Sequence, residues 1–123
     1  MTAFNTFSAK DLAAIKQFYS EVLGLEVEET PMGLEIHLPG GAKTGVYQSD
    51  DNQPAAYTML NFIVEDIDEA VEALAERGVT FERYEGLNQD EKGIARGIAA
   101  HRGPDGAWFK DPQGNIIEVL QVA

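Results

Sequence analysis

Reactive side chains are scarce in this sequence of 123 residues, which limits the chemistry it can perform. The absence of cysteine excludes disulfides, thiolate metal sites and a cysteine nucleophile. The two histidines, His37 and His101, are too few for a histidine-rich metal site within one chain. No serine lies in a nucleophile-elbow motif, so serine hydrolase chemistry is not indicated either.

Glu118 is the carboxylate whose surroundings point most clearly to a function. It alternates with aliphatic residues in the segment 116–122, and on a strand such residues share one face. A carboxylate among aliphatic side chains needs a partner, because an unpaired buried charge is costly. Glu118 is therefore a candidate general base or metal ligand. The alternative is a structural carboxylate paired with Arg96, Arg102 or a tyrosine.

The histidines are weaker candidates for catalysis. His101 lies in a long glycine-rich segment, 86–106, from which it could swing over a cavity as an acid or base. A solvated loop histidine is the alternative. His37 follows the alternation of Glu35 and is expected to be exposed or at a sheet edge.

Two further residue types could bind a ligand directly. Arg96 and Arg102 lie in the same glycine-rich segment, and a guanidinium can hold a carboxylate or phosphate through two hydrogen bonds. Either arginine could instead balance its acidic neighbours. Trp108 could stack on a planar ligand, although core packing explains it equally well.

The charge of the chain narrows the choice of partners. Nine Lys and Arg residues face 21 Asp and Glu residues, a net charge of −12 that repels nucleic acid and anionic lipid. We expect neither as a partner. No apolar run approaches the roughly 20 residues of a membrane span, and the first residues do not resemble a signal peptide. These features predict a cytoplasmic protein.

An internal duplication positions these residues. Apolar residues recur at helical spacing in 11–24 and again in 66–78, and each segment begins with an Asp suited to capping and ends with Gly. The two capping residues, Asp11 and Asp66, lie about half the chain apart.

Strand-like segments flank both predicted helices, so each half is predicted to be β-α-β-β-β. The predicted strands are 4–9, 25–29, 33–39 and 44–48 in the first half and 57–64, 79–85, 107–110 and 116–122 in the second, with one further short strand near 94–99. The predicted fold is α+β: a single domain, 1–123, with module one at 1–50, a connection at 51–56 and module two at 57–123. Pairing of the two concave sheet faces would enclose a cavity.

Three segments carry a family resemblance: FYSEVLGLEV, VEDIDEAVEALAERGVTF and WFKDPQGNIIEVLQ. Together they resemble the glyoxalase, bleomycin resistance protein and extradiol dioxygenase superfamily, also called the vicinal oxygen chelate (VOC) superfamily. The resemblance implies paired βαβββ modules that form a curved mixed sheet around one ligand site, commonly in a homodimer. Members include metal-dependent lyases, isomerases and dioxygenases, and metal-free proteins that sequester drugs.

The resemblance also locates the four positions at which the metal enzymes of the superfamily carry ligands. Aligned on this sequence, these positions are Phe4, Tyr47, Met59 and Glu118. Only Glu118 is a ligand of the usual type, so the usual metal site is expected to be absent.

The sequence therefore predicts metal-independent binding of a small, mostly apolar or aromatic organic molecule, with no cofactor, in a cavity between the modules. Glu118 and Arg96 would orient the ligand, and His101 is the second catalytic candidate if a reaction occurs. The predicted cavity residues are Phe4, Thr6, Tyr47, Met59, Asn61, Arg96, Trp108 and Glu118.

Two alternatives remain open. One is a glyoxalase-type lyase or dioxygenase with a divalent metal at an atypical site around Glu118, to which His37, His101 and a partner subunit could contribute. The other is a protein that keeps the fold and the dimer interface but has a collapsed pocket.

Overall fold

The computed structural model describes all 123 residues as two compact units, residues 1–54 and residues 55–123. The first unit contains β1 (Asn5–Ala9), α1 (Leu12–Gln17), a π-helical continuation (Phe18–Val22), β2 (Glu26–Thr30), β3 (Gly33–His37) and β4 (Lys43–Gln48). The second contains β5 (Thr58–Ile63), α2 (Ile67–Glu76), β6 (Ala95–Arg96), β7 (Asp105–Lys110) and β8 (Ile116–Gln121). Each unit is βαβββ, which confirms the predicted α+β fold.

Each unit is built on one four-stranded mixed sheet. The strand orders are β1-β4-β3-β2 and β5-β8-β7-β6. The first strand of each unit runs parallel to the last, and the other neighbours are antiparallel. Neither helix has the length and apolar character that crossing a membrane requires.

The predicted aspartate caps begin both helices. Asp11 Oδ1 accepts a hydrogen bond from Ala14 N at 3.1 Å, and Asp66 Oδ1 accepts one from Glu69 N at 3.1 Å. Each helix buries its apolar stripe against one face of its own sheet. The buried residues include Ile15, Tyr19, Leu34, Ile36 and Val46 in the first unit and Ile67, Val71, Phe109, Ile117 and Val119 in the second.

The prediction of a strand at 79–85 is wrong, and the second strand of the second unit is instead the two-residue β6, Ala95–Arg96. The side chain of Gln89 takes the place of a neighbouring strand. Its Oε1 accepts from Tyr84 N at 2.9 Å and its Nε2 donates to Glu82 O at 3.0 Å. Glu82 N still donates to Trp108 O at 2.7 Å, so the segment follows β7 without forming a ladder.

A bulge in β5 interrupts the alternation of side chains by which Met59 and Asn61 are both predicted to face the cavity. Thr58 pairs with Ile116 and Leu60 with Ile117, so Met59 is an extra residue in the pairing. Met59 is half-buried, while Asn61 is exposed on the face away from α2. Alternation therefore places Asn61 correctly but does not apply to Met59.

Candidate functional site

Glu118 occupies the middle of a row of three side chains that crosses the second sheet. It is paired with Asn61 on β5 and with Trp108 on β7. Its neighbours along β8, Ile117 and Val119, are buried on the opposite face. The row therefore brings Asn61, Glu118 and Trp108 together on the face that α2 does not cover.

Gly106 provides the space that the Glu118 carboxylate occupies. A Cβ at this position would overlap Glu118 Oε2 and lie 3.4 Å from Trp108 Cη2. Gly106 is not among the predicted site residues, because it stands at the end of the glycine-rich segment 86–106 that was predicted to be mainly a loop. A glycine directly before a strand-like AWFK segment is the signal that could have found it, since glycine within a strand often marks a close approach.

The Glu118 side chain has no hydrogen bond or ion pair in the structure. Arg96 is bound to aspartates instead, and Arg102 has no acidic partner. The structural alternative for Glu118, a pair with one of these arginines or a tyrosine, is therefore wrong. Burial raises the pKa of the Glu118 carboxyl above its usual range. A carboxylate in this position lowers the free energy of unfolding at neutral pH, because its charged form loses solvation without gaining a partner.

An open cleft with a volume of about 530 Å³ adjoins this carboxylate. Two loops, 86–90 and 97–104, contribute most of its walls. Its lining includes Leu87, Ala100, Pro104 and Trp108 as apolar groups and Asp90, Arg96, Arg102 and Glu118 as charged groups. The Trp108 ring packs edge-on against Tyr84, with 6.0 Å between ring centroids, which fixes its orientation.

Arg96 lines the cleft, but three aspartates engage its guanidinium. Its Nη1 and Nη2 donate to the two carboxylate oxygens of Asp68 at 3.0 and 2.7 Å. Its Nε donates to Asp90 Oδ2 at 3.1 Å, and Asp105 Oδ2 lies 3.7 Å from Nη1. Arg96 thus ties α2 to the wall of the cleft, and its donors point to these acids rather than to Glu118.

We expect Arg96→Met to lower the melting temperature by roughly 3–6 °C at pH 7, because about 1 kcal/mol is at stake in a half-exposed network of this kind. Hydrogen bonds from Arg96 and Lys92 hold the pKa of Asp68 well below its usual value of 3.8. The stabilisation is therefore fully present above pH 4, and is lost as the pH falls further.

Thermal unfolding of the wild type and Arg96→Met is measured between pH 2 and pH 7. The difference between their melting temperatures should become smaller below about pH 4. Arg102→Met is the matched control, since it removes an arginine that lines the same cleft but forms no ion pair. An equal loss in both variants would contradict the role assigned to the Arg96 network.

His101 and Arg102 are neighbours in the loop 97–104, but only Arg102 lines the cleft. Arg102 lines the cleft, and its guanidinium has neither a hydrogen bond nor an ion pair. His101 is exposed, has a positive φ of 54° and is not among the residues that line the cleft. The structure therefore does not bring the predicted acid or base His101 over the cleft.

The predicted cavity residues of the first unit line a separate open cleft of about 680 Å³. They are Phe4, Thr6 and Tyr47, and Phe4 is 72% exposed. The charged groups of this cleft, Glu35 and Lys43, are paired with each other at 3.4 Å. This cleft thus has an apolar lining but no unpaired charge of the kind that marks the cleft at Glu118.

The pairing registers correct one of the positions aligned with metal ligands. Thr6 and Asn61 occupy equivalent places, since each precedes its capping aspartate by five residues. Thr6 pairs with Gly45, and Asn61 pairs with Glu118. Gly45, rather than Tyr47, therefore corresponds to Glu118.

The residues at these positions do not fit a metal ion. Phe4 and Gly45 have no donor atom in their side chains, and Met59 offers only a thioether, a poor ligand for hard divalent cations. Glu118 is the single carboxylate of the set.

One other group of potential metal donors lies on the first unit, around His37. Its Nε2 is 3.2 Å from Glu35 Oε1 and 3.6 Å from Glu28 Oε1, and its Nδ1 is 3.8 Å from Glu26 Oε2. No such group includes Glu118 or His101. The His37 cluster is a histidine among the glutamates of β2 and β3, and it does not extend the site at Glu118.

Comparison with known proteins identifies the family. The sequence profile of the Glyoxalase/Bleomycin resistance protein/Dioxygenase superfamily matches residues 4–119, and the chain belongs to this superfamily. This confirms the resemblance found in the sequence. A search of curated protein sequences gave no significant match.

Solved structures with the same fold come from several bacteria. A superfamily member from Sphaerobacter thermophilus is 24% identical with a TM-score of 0.69, and covers 98% of each chain. TnmS3, an antibiotic binding protein from Streptomyces, is 23% identical with a TM-score of 0.67, over 100% of this chain and 98% of its own. The fosfomycin resistance protein FosX from Listeria monocytogenes is 16% identical with a TM-score of 0.72, over 100% and 91%.

Proposed function

We propose that this protein binds a small, mostly apolar, planar organic molecule in the cleft at Glu118, without a metal ion or cofactor. One observation carries the proposal: Glu118 is a partly buried carboxylate with no partner, beside Trp108 in an open cleft. Trp108 would contact the ring of the ligand, and Glu118 would accept a hydrogen bond from it.

The local structure around Glu118 favours a functional over a structural role. A carboxylate that lowers stability is retained when it serves binding or catalysis, because a more stable neutral residue is readily available. Gly106 keeps space for that carboxylate at the expense of a side chain in β7. A hydrogen-bond donor on a ligand would supply the partner that the protein does not.

The relatives are compatible with a binding role. TnmS3 is an antibiotic binding protein, and bleomycin resistance proteins give the superfamily part of its name. FosX is also a resistance protein. These likenesses are to the fold, so the choice of binding over catalysis rests on Glu118 and on the lack of metal donors at the corresponding positions.

The test uses Trp108 as the reporter, because it is the single tryptophan of the chain. The probe is 4-nitrobenzyl alcohol, an uncharged planar molecule with a hydroxyl donor and a nitro group that quenches tryptophan on contact. We expect saturable quenching of the emission by the probe. Glu118→Gln should weaken the apparent affinity roughly tenfold, because a hydrogen bond to a charged group is worth about 1.5–3 kcal/mol.

Two controls keep this result specific. N-acetyltryptophanamide, quenched in parallel, gives the collisional background, which does not saturate. Lys16→Gln removes one charge from the other unit and should leave the affinity unchanged. Quenching no greater than this background, in wild type and in Glu118→Gln alike, would contradict the proposed function.

We also propose that the protein is a homodimer, as the family resemblance implies. Native mass spectrometry tests this and metal independence in one spectrum. Spectra are recorded before and after addition of manganese, nickel, zinc or ferrous ions. We expect a dimer with the same mass in both cases. One metal ion per chain that is lost on Glu118→Ala would overturn metal independence and favour a lyase or dioxygenase.

A further inference from the structure

We infer that the ligand of this cleft is dipolar, with an anionic group held by Arg102 and a protonated amine held by Glu118 on either side of an aromatic or apolar body. The inference rests on the proposed function of the cleft and adds the chemical class of its ligand. It also replaces Arg96 with Arg102 as the arginine that orients the ligand.

Arg102 is a cation that the protein itself leaves without a partner. In the same unit Lys92 binds Asp68 and Glu72, Lys110 lies 3.3 Å from Glu82, and Arg96 is engaged by aspartates. Arg83 donates to the carbonyls of Asp90 and Glu91 at 2.7 and 2.8 Å. Arg102 is exposed in the lining of the cleft, in a chain with a net charge of −12, and its guanidinium is free to hold an external anion.

The backbone that carries Arg102 is held in place at the base of its loop. Arg102 N donates to Gly97 O at 2.9 Å, and Ile98 N donates to Asp105 Oδ1 at 3.0 Å. A Cβ at Gly97 would overlap the carbonyl oxygens of Pro104 and Gly103, so the two ends of the loop are in close contact. The guanidinium therefore extends from a fixed point rather than from a free chain.

Glu118 and Arg102 line one cleft and are not paired with each other. An unpaired acid and an unpaired base that share a cleft complement a molecule with both charges. Trp108 and Leu87, also in the lining, supply apolar area for the body of such a molecule. A ligand with only one charge would leave the other group without a partner.

Four probes with the same nitrophenyl quencher separate these contributions. They are 4-nitrobenzyl alcohol, which is uncharged, 4-nitrophenylacetic acid, 4-nitrophenethylamine, and 4-nitrophenylalanine, which has both charges at pH 7. Affinities are measured by quenching of Trp108 and by calorimetry. We expect 4-nitrophenylalanine to bind roughly tenfold or more tightly than 4-nitrobenzyl alcohol.

Two variants assign each charge to its residue. Arg102→Gln should remove the advantage of the two carboxylated probes, roughly tenfold, and leave the amine probe unaffected. Glu118→Gln should instead remove the advantage of the two probes that carry an amine and leave 4-nitrophenylacetic acid unaffected. Lys16→Gln controls for the change in net charge, since Lys16 lies on α1 of the other unit.

The outcomes distinguish this inference from the function on which it depends. Two results would overturn the dipolar ligand and leave the proposed function intact, provided that the uncharged probe binds saturably. One is that neither charge on the probe raises its affinity, and the other is that Arg102→Gln does not lower the affinity of the carboxylated probes. Absence of saturable binding for all four probes would overturn both. A residue-specific loss for each charge supports both.

Discussion

Gly106→Ala is expected to abolish binding in the cleft while the protein still folds. The new Cβ would overlap Glu118 Oε2, so the carboxylate must leave its place beside Trp108. The φ of Gly106 is not in the left-handed region, so alanine is compatible with the backbone and the effect is one of space. We expect at least a tenfold loss of affinity for 4-nitrobenzyl alcohol, and a loss of about 1–3 kcal/mol in the free energy of unfolding.

The matched control for this variant is Gly45→Ala. Gly45 also lies within a strand, β4, and its nearest neighbour would be the Thr6 methyl group at 3.2 Å, which can shift. Quenching titrations and urea unfolding are measured on both variants. Unchanged affinity in Gly106→Ala would show that the carboxylate does not need its observed position.

Asp111→Ala is expected to cause the largest loss of stability, about 3 kcal/mol. Asp111 is buried in the turn between β7 and β8, where Oδ1 accepts from Gln113 N at 2.9 Å and Asn115 N at 3.0 Å, and Oδ2 accepts from Asn115 Nδ2 at 2.9 Å. Alanine would leave the donors of the buried Asn115 without acceptors. Since this turn sets the register of Trp108 against Glu118, binding should weaken as well.

Urea unfolding at pH 7 measures the effect of Asp111→Ala against Asp111→Asn. The asparagine keeps one carbonyl oxygen for the two backbone donors and loses mainly the bond from the Asn115 side chain. We therefore expect it to lose about 1 kcal/mol. Equal losses in the two variants would show that these hydrogen bonds do not set the stability of the turn.

Local signals predicted the parts of the fold that depend on local interactions. The capping aspartates Asp11 and Asp66 fix where the helices begin, and each acts within three residues of chain. The alternation in β8 likewise fixes which side of the sheet Glu118 faces. These features follow from residues that are close in sequence, so a single sequence is sufficient to find them.

Features that depend on distant partners were not predictable in the same way. Segment 79–85 has the composition of a strand, but its Tyr84 N and Glu82 O are hydrogen-bonded to the side chain of Gln89 rather than to a neighbouring strand. Arg96 and Arg102 are equivalent in sequence, and the positions of Asp68, Asp90 and Asp105 in the fold separate the bound arginine from the unpaired one. Composition carries no information about such pairings.

The irregular segment 79–85 also affects how this protein behaves at high concentration. β6 covers only Asp105 and Gly106 of β7, so much of that strand would otherwise present bare backbone to other molecules. Glu82 covers the carbonyl of Trp108, and Gln89 in turn occupies the backbone groups of Glu82 and Tyr84. These backbone groups are therefore not available to pair with a strand of another molecule. A sheet edge protected in this way resists intermolecular β-aggregation.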